Sequence, residues 1–295
     1  MLFNGEHLVL IDMSWVKYRG LHTFNLSANI DGVEKFTGHI YSVLQTVSSI
    51  AKDSRCQVII CQDHFPEWRH KLVPTYKEGR NKDFDVHKDD DAIFALVANL
   101  PNVWVAEAEQ YEADDVIAEL CKRYHENNLI YIHANDDDLL QLASYTNVKF
   151  SRALKNGKME VDPVDVAERK YGIPASKIPI YRTIRGDKSD YLAGIRRFPK
   201  QLAVEIAQYL DSFEDFPSKY NRLTADLGVT SARMKYLQKI RQHFTQLRII
   251  YNNFANLLKC DVSELQIYQP SDKGIKEYAE RLQLGRKTLR SLKIS

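Results

Sequence analysis

Long apolar runs are missing from this chain: nowhere does it hold the roughly 20 uninterrupted hydrophobic residues that a membrane-spanning helix needs. The first residues, Met1 to His7, lack a basic stretch followed by an apolar one. A soluble, cytoplasmic, non-secreted protein is expected. Cysteine is scarce, and Cys56, Cys61, Cys121 and Cys260 show no C-x-x-C spacing. The nine histidines form no H-x-x-x-H pair. Reduced thiols are therefore expected, and any metal site must rely on oxygen donors rather than on a zinc-type set. Internal repeats and low-complexity linkers are absent too, so the parts of the chain are expected to pack against one another.

The 295 residues, 44% hydrophobic, suffice for a sizeable core. A net charge of only +2 hides a division. Residues 1–170 hold 19 Lys+Arg against 27 Asp+Glu, a net of −8, whereas residues 171–295 hold 22 against 12, a net of +10. One half concentrates acid and the other base. Such a split suits a polyanion held by the basic half while cations gathered by the acidic half attack it.

Leu8-Val9-Leu10-Ile11 is an apolar run of the kind a strand buried on both faces requires, and it ends at Asp12. The pattern recurs. Val58-Ile59-Ile60-Cys61 leads to Asp63, Val103-Trp104-Val105 toward Glu112, and Leu129-Ile130-Tyr131-Ile132 to Asp136. Helix-length segments with helical apolar spacing, Gly38 to Lys52 and Asp91 to Leu100, lie between them. Alternation of this kind predicts a mainly parallel sheet with helices on both faces, and ligands beyond the carboxyl ends of its strands. From about Tyr171 strand-type runs give way to basic, helical periodicity, ending in the amphipathic stretch Gly274 to Ser295, read either as a docked helix or as a tail.

Nine carboxylates stand in five clusters: Asp12; Asp63; Glu112, Asp114 and Asp115; Asp136 and Asp138; Asp187 and Asp190. A helix dipole explains one acid in a first turn, but not three within four residues. Adjacent like charges at strand ends are unfavourable without counter-ions, so the pattern predicts bound divalent cations, most simply Mg²⁺. Phosphodiester hydrolysis is the chemistry implied. Between Asp63 and Asp91, Trp68, Arg69, His70, Lys71, Tyr76, Lys77, Arg80, Lys82 and Phe84 interleave cations with rings, a mixture able to hold a single strand without reading its sequence.

These residues resemble the 5′ nuclease family, which includes flap endonucleases, the 5′-exonuclease domain of bacterial DNA polymerase I, and phage RNase H and 5′-to-3′ exonucleases. The likeness rests on the strand ending in Asp12, Glu112-Ala113-Asp114-Asp115, Asp136-Asp137-Asp138-Leu139-Leu140-Gln141-Leu142 and Gly186-Asp187-Lys188-Ser189-Asp190. Arg19, seven residues beyond Asp12, and Pro74-Thr75-Tyr76-Lys77-Glu78-Gly79-Arg80, similar to the family's Pro-x-Tyr-Lys-x-x-Arg, add to it. The resemblance covers residues 8–205 and is closest in type to stand-alone bacteriophage enzymes. It implies an α/β, PIN-like catalytic domain over 1–170, with an arch segment at about 65–91, and a helical, basic DNA-binding region over 171–295 containing a degenerate helix-hairpin-helix.

The resemblance also implies roles. Glu112, Asp114, Asp136 and Asp138, with Asp12 and Asp63 nearby, would form a tighter site for one of two Mg²⁺ ions, replaceable by Mn²⁺, and Asp115, Asp187 and Asp190 a looser second site. Lys77 and Arg80 would contact the reacting phosphates, while Arg19, Tyr76, Lys82, Arg196, Arg197 and Lys200 would hold nucleic acid. Where the family's hairpin reads Gly-x-x-Gly-x-Gly-Pro-Lys, this chain has Gly194-Ile195-Arg196-Arg197-Phe198-Pro199-Lys200. Missing glycines remove close backbone approach, which argues against a bound K⁺ and for phosphate contacts by side chains. The implied activity is 5′-to-3′ exonuclease and flap endonuclease action on DNA and RNA:DNA hybrids during replication, by a monomer with replication proteins such as a single-strand binding protein or clamp as partners. The alternatives are a PIN-type single-strand ribonuclease and a noncatalytic junction-binding protein.

Overall fold

Apolar runs long enough to be buried on both faces form the centre of the molecule. The computed structural model describes residues 2–294 apart from 4–5, 31, 80–84, 86, 154–158, 162–165 and 229. The strands are β1 (His7–Asp12), β2 (Ser27–Ile30), β3 (Val33–Phe36), β4 (Cys56–Cys61), β5 (Val103–Glu107), β6 (Leu129–His133), β7 (Val148–Ala153), β8 (Met159–Val161), β9 (Gly186–Asp187), β10 (Leu192–Ala193) and β11 (Gln266–Tyr268). Among them run helices α1 (Met13–Thr23), α2 (Gly38–Ile50), α3 (Glu67–Leu72), α4 (Asp90–Val97), α5 (Ala113–Tyr124), α6 (Val166–Tyr171) and α7 (Ile178–Arg185). Six more follow: α8 (Lys200–Tyr209), α9 (Phe216–Asp226), α10 (Ser231–Gln242), α11 (Phe244–Ile250), α12 (Ile275–Arg281) and α13 (Arg286–Ser291).

The main sheet has the order β11-β5-β4-β1-β6-β7-β8. Its inner five strands are parallel, with β1 between β4 and β6, and the two edge strands run antiparallel. This is the α/β, mainly parallel architecture that the alternating runs predict. Along β1 the side chains alternate between two cores. Leu8 and Leu10 join a core that takes in α5, α7, α8 and the helices to Ile250, whereas Val9 and Ile11 join one shared with α1, α2 and α4. The two halves of the chain thus share a core, as the lack of a linker suggests.

Two features differ from the sequence expectation or sharpen it. Strand β11 lies in a region expected to be helical; it is too short and too polar to announce itself and exists by pairing with β5. Beyond it the stretch from Gly274 docks as helices, with Ala279, Leu282 and Leu292 buried in the second core. All four cysteines are free. Among the described residues, no helix is long and apolar enough to cross a membrane.

Candidate active site

Strand ends deliver the acids to one cleft. Asp12 closes β1 and turns the chain into α1, its Oδ1 accepting the Trp15 N–H at 2.9 Å. Asp63, just beyond β4, accepts the Ala113 N–H at 2.8 Å and so helps to cap α5 from a neighbouring strand. Glu112 is the residue before α5, and its own N–H donates to Asp115 Oδ2 at 3.1 Å in a capping box. Asp136 follows β6 and accepts the Asp138 N–H at 2.8 Å. Asp187 ends α7's connection into the β9–β10 hairpin, where its Oδ1 accepts from the Ser189 N–H at 2.7 Å. Gly186 and Gly194 let the two arms of that hairpin meet: a Cβ on Gly194 would fall 2.2 Å from the Gly186 nitrogen.

These acids feel one another. Asp12 is pushed up to about 7, first by burial and then by the charges of Asp63 and Asp136. Burial raises Asp114 well above the ordinary carboxylate range, and Asp136, Asp12 and Asp63 add to it. Burial likewise raises Asp136, with Asp190 contributing, and brings Asp138 to about 7 against the pull of Arg182, with Asp136, Asp187 and Asp190 reinforcing the rise. Such mutual shifts require proximity. Among the described residues, however, no three carboxylate, imidazole or thiolate groups meet in a ready-made metal cage. The two observations are compatible, because a charge is felt several ångströms beyond the ~2.0–2.6 Å of an oxygen–metal bond. The acids surround a space and do not close on it.

Three side-chain cations reach between them. Lys77 Nζ contacts Glu112 Oε1 at 2.5 Å, and its backbone, at φ +54°, donates N–H to the Asp190 carbonyl at 3.0 Å. That left-handed conformation in a non-glycine residue is strain of the kind found at functional sites. Arg69, only 5% exposed, binds Glu112 Oε2 with one guanidinium nitrogen and Asp115 Oδ1 with the other, the latter at 2.5 Å. Although burial opposes its ionisation, Lys77 and Arg69 hold Glu112 down to about 2. Arg182 lies 2.5 Å from Asp138 Oδ1 and 3.2 Å from Asp187 Oδ2.

Lys77, Asp12, Asp63, Asp114, Asp136, Asp138, Asp187 and Asp190 are therefore close enough to feel one another's charge, Glu112 joins them through Lys77, and Asp115 is tied to the group only through Arg69. Tyr76, expected on an open nucleic-acid face, is buried instead and donates its hydroxyl to Glu112 Oε2 at 2.6 Å; a ring packed among His70 and Phe254 cannot stack on a base. Trp68 is likewise tied down, its indole N–H donating to the Gln110 carbonyl at 2.9 Å. Arg19 is partly buried between α1 and α2, donating to Thr46 Oγ1 at 2.7 Å. Arg196, Arg197 and Lys200 are exposed. Arg80 and Lys82 lie outside the described residues. Sequence reasoning did not single out Arg69 or Arg182 as partners of the acids. It also passed over Asp137, which accepts from Lys170 at 2.5 Å and from the Tyr171 hydroxyl at 2.6 Å, so that the middle acid of the run faces away from its neighbours' cleft.

A divalent cation fits this donor set: the groups offered are hard oxygens, and burial together with mutual repulsion disfavours the charge on several of them. Comparisons with known proteins bear on the family and the fold. A family model described as the 5′-3′ exonuclease, N-terminal resolvase-like domain matches residues 7–172. A 5′-3′ exonuclease of Aquifex aeolicus is 25% identical over 281 residues, covering 94% of this chain and 92% of its own. The thermostable DNA polymerase I of Thermus filiformis is 26% identical over 95% of this chain, which spans only 32% of that longer protein. A flap endonuclease of bacteriophage T5, solved as a pseudo-enzyme–product complex with DNA and metal ions, has a similar fold: TM-score 0.60, 16% identity, 97% of this chain and 96% of that one covered.

Proposed function

The chain belongs to the 5′-3′ exonuclease family, and from that premise we propose that it is a divalent-metal-dependent nuclease that hydrolyses phosphodiesters at 5′ ends and 5′ flaps of DNA and of RNA:DNA hybrids, removing primers or flaps in replication. The observation that carries the reading is the convergence of Asp12 and Asp136 from the ends of β1 and β6 with Asp114 from the first turn of α5, three acids buried near enough to raise one another. Asp12, Asp63, Glu112, Asp114, Asp136 and Asp138 would hold one Mg²⁺, with Asp115, Asp187 and Asp190 toward a second. When bound, such ions would help a water ionise and would stabilise negative charge on the phosphoryl and leaving oxygens.

The chain's own residues do the rest. Lys77, now paired with Glu112, exchanges that partner for a phosphate oxygen when substrate enters, its ammonium being partly exposed on a strained turn beside the acids. Glu112 stays ionised throughout, since Arg69 remains beside it. The exposed cations Arg196, Arg197 and Lys200, just before and at the start of α8, would hold the duplex by its phosphates, which supports a duplex-holding role for residues 171–295 beside a catalytic domain over 1–170 that Asp187 and Asp190 complete.

Cleavage of a 5′-labelled flap and of an RNA:DNA hybrid tests this. Asp136→Asn should abolish hydrolysis of both while changing flap affinity by no more than severalfold, since phosphate contacts dominate binding. Undiminished cleavage by that variant at matched Mg²⁺ would remove the assignment. Products only from single-stranded RNA would favour a PIN-type ribonuclease instead.

A further inference from the structure

Two arginines face the acids in different ways. Arg69 is locked: its Nη atoms make aligned hydrogen bonds to Glu112 and Asp115, and its Nε donates to the Asn253 carbonyl at 3.1 Å. Its side chain is 6% exposed. Arg182 is not locked. It stands 2.5 Å from Asp138 and 3.2 Å from Asp187, yet neither its Nε nor Asp138 Oδ1 has a hydrogen-bond partner, so the contact has charge attraction without the alignment that would fasten it. Its side chain is 19% exposed, against 6% for Arg69. The carboxylates it touches come from separate elements, one from the turn after β6 and one from the hairpin after α7.

We propose that Arg182 is a tethered counter-ion that occupies the cleft of the metal-free protein and is displaced by a divalent cation, so that it sets how much metal the site requires. This rests on the metal-dependent reading given above. The physical reason is competition for the same oxygens. An arginine pairs with carboxylates in a planar fork, whereas a divalent ion needs their lone pairs pointed inward, and the two cations repel if both stay. An ion pair lacking aligned hydrogen bonds is the one that yields. Arg182 is thus a positioning residue: it keeps Asp138 and Asp187 near each other before the ion arrives and leaves when it does.

The test compares the full chain with Arg182→Gln and Arg182→Lys, reading thermal unfolding in EDTA and across a Mn²⁺ titration. Arg182→Gln should unfold at lower temperature than the parent in EDTA, because two carboxylates lose their partner, and should bind Mn²⁺ roughly 5–10-fold more tightly. Arg182→Lys, which keeps the charge, should restore most of the parental affinity. Unchanged or weaker Mn²⁺ affinity in Arg182→Gln would overturn the proposal. So would an equal loss of stability with and without metal, the mark of a merely structural residue. Should Arg182→Gln fail to fold, ¹⁵N-arginine spectra of the parent protein decide. The Arg182 Nε signal, assigned through Arg182→Lys, should shift on adding Mg²⁺, and a static signal with bound metal would refute displacement. Failure of the underlying reading is distinguishable: the parent itself would then show no Mn²⁺-dependent stabilisation, or the stabilisation would persist in Asp136→Asn.

Discussion

Arg69 shows how much of this cleft depends on a single buried cation. Two carboxylates, Glu112 and Asp115, are 7% and 1% exposed, and both have their charge met by its guanidinium. Removing one member of a buried charge cluster leaves the others uncompensated, which typically costs about 3–5 kcal/mol. Arg69→Ala is expected to lose that much in urea unfolding, and a loss below about 1 kcal/mol would show that water reaches the acids freely. Tyr76→Phe removes a hydroxyl bond to an ionised carboxylate and should cost about 1.5–3 kcal/mol in the same measurement, since such bonds exceed neutral ones. The acids themselves were legible in the sequence, because a carboxylate after an apolar run is conspicuous. Their partners were not. Arg69 sits among exposed-looking cations and rings, and nothing in its local sequence says that it turns inward to α5 and the 251–255 segment.

Elements were readable where burial is symmetric. Strands β1, β4, β5 and β6 are covered on both faces, so continuous apolar runs mark them, and α2 and α4 fall within about three residues of the periodicity that predicts them. Strand β11 could not be read, because Gln266-Ile267-Tyr268 becomes a strand only through its partner. The packing of α1 on α2 was equally hidden, although it depends on a glycine. A Cβ on Gly20 would lie 2.7 Å from the Gly38 carbonyl oxygen and from Ser42 Cβ. Gly20→Ala must therefore push the helices apart, at about 1–3 kcal/mol for an overpacked contact. Calorimetry should record a melting temperature lower by several degrees, roughly 2–4 °C for each kcal/mol in a chain of this size. No change would mean that the crossing is slack.

At the scale of the whole molecule, stability should follow pH and metal together. Asp12 and Asp138 have folded values near 7, above the ordinary carboxylate value, so the folded protein binds more protons than the unfolded chain. The stabilising effect of those protons is present at low pH and fades as pH rises from about 4 to about 7. Glu112 runs the other way: its value near 2 gives stability that is present above its unfolded value and is lost only as pH falls toward 2. Divalent ions compete with the first set of protons. Millimolar Mg²⁺ should thus raise the melting temperature more at about pH 8 than at about pH 5.5, because at the higher pH Asp12 and Asp138 add their charge to that of acids already ionised, leaving more to be neutralised. An equal rise at both, read by scanning fluorimetry, would place the ions elsewhere. The charge division between residues 1–170 and 171–295 was visible in composition; that both halves share one core, through Ile184, Leu202 and Ile240, was visible only once the chain was folded.

Strand β11 also shields. By pairing antiparallel with β5 through Gln266, Ile267 and Tyr268, it covers a row of peptide groups that would otherwise face water. A chain cut before Gln266 would keep every acid of the cleft but bare that margin, offering a template on which a second molecule's strand can add. Such a fragment, which also loses the helices that bury Ala279, Leu282 and Leu292 in the second core, should melt at lower temperature and self-associate as its concentration rises, so the last thirty residues guard solubility as well as packing.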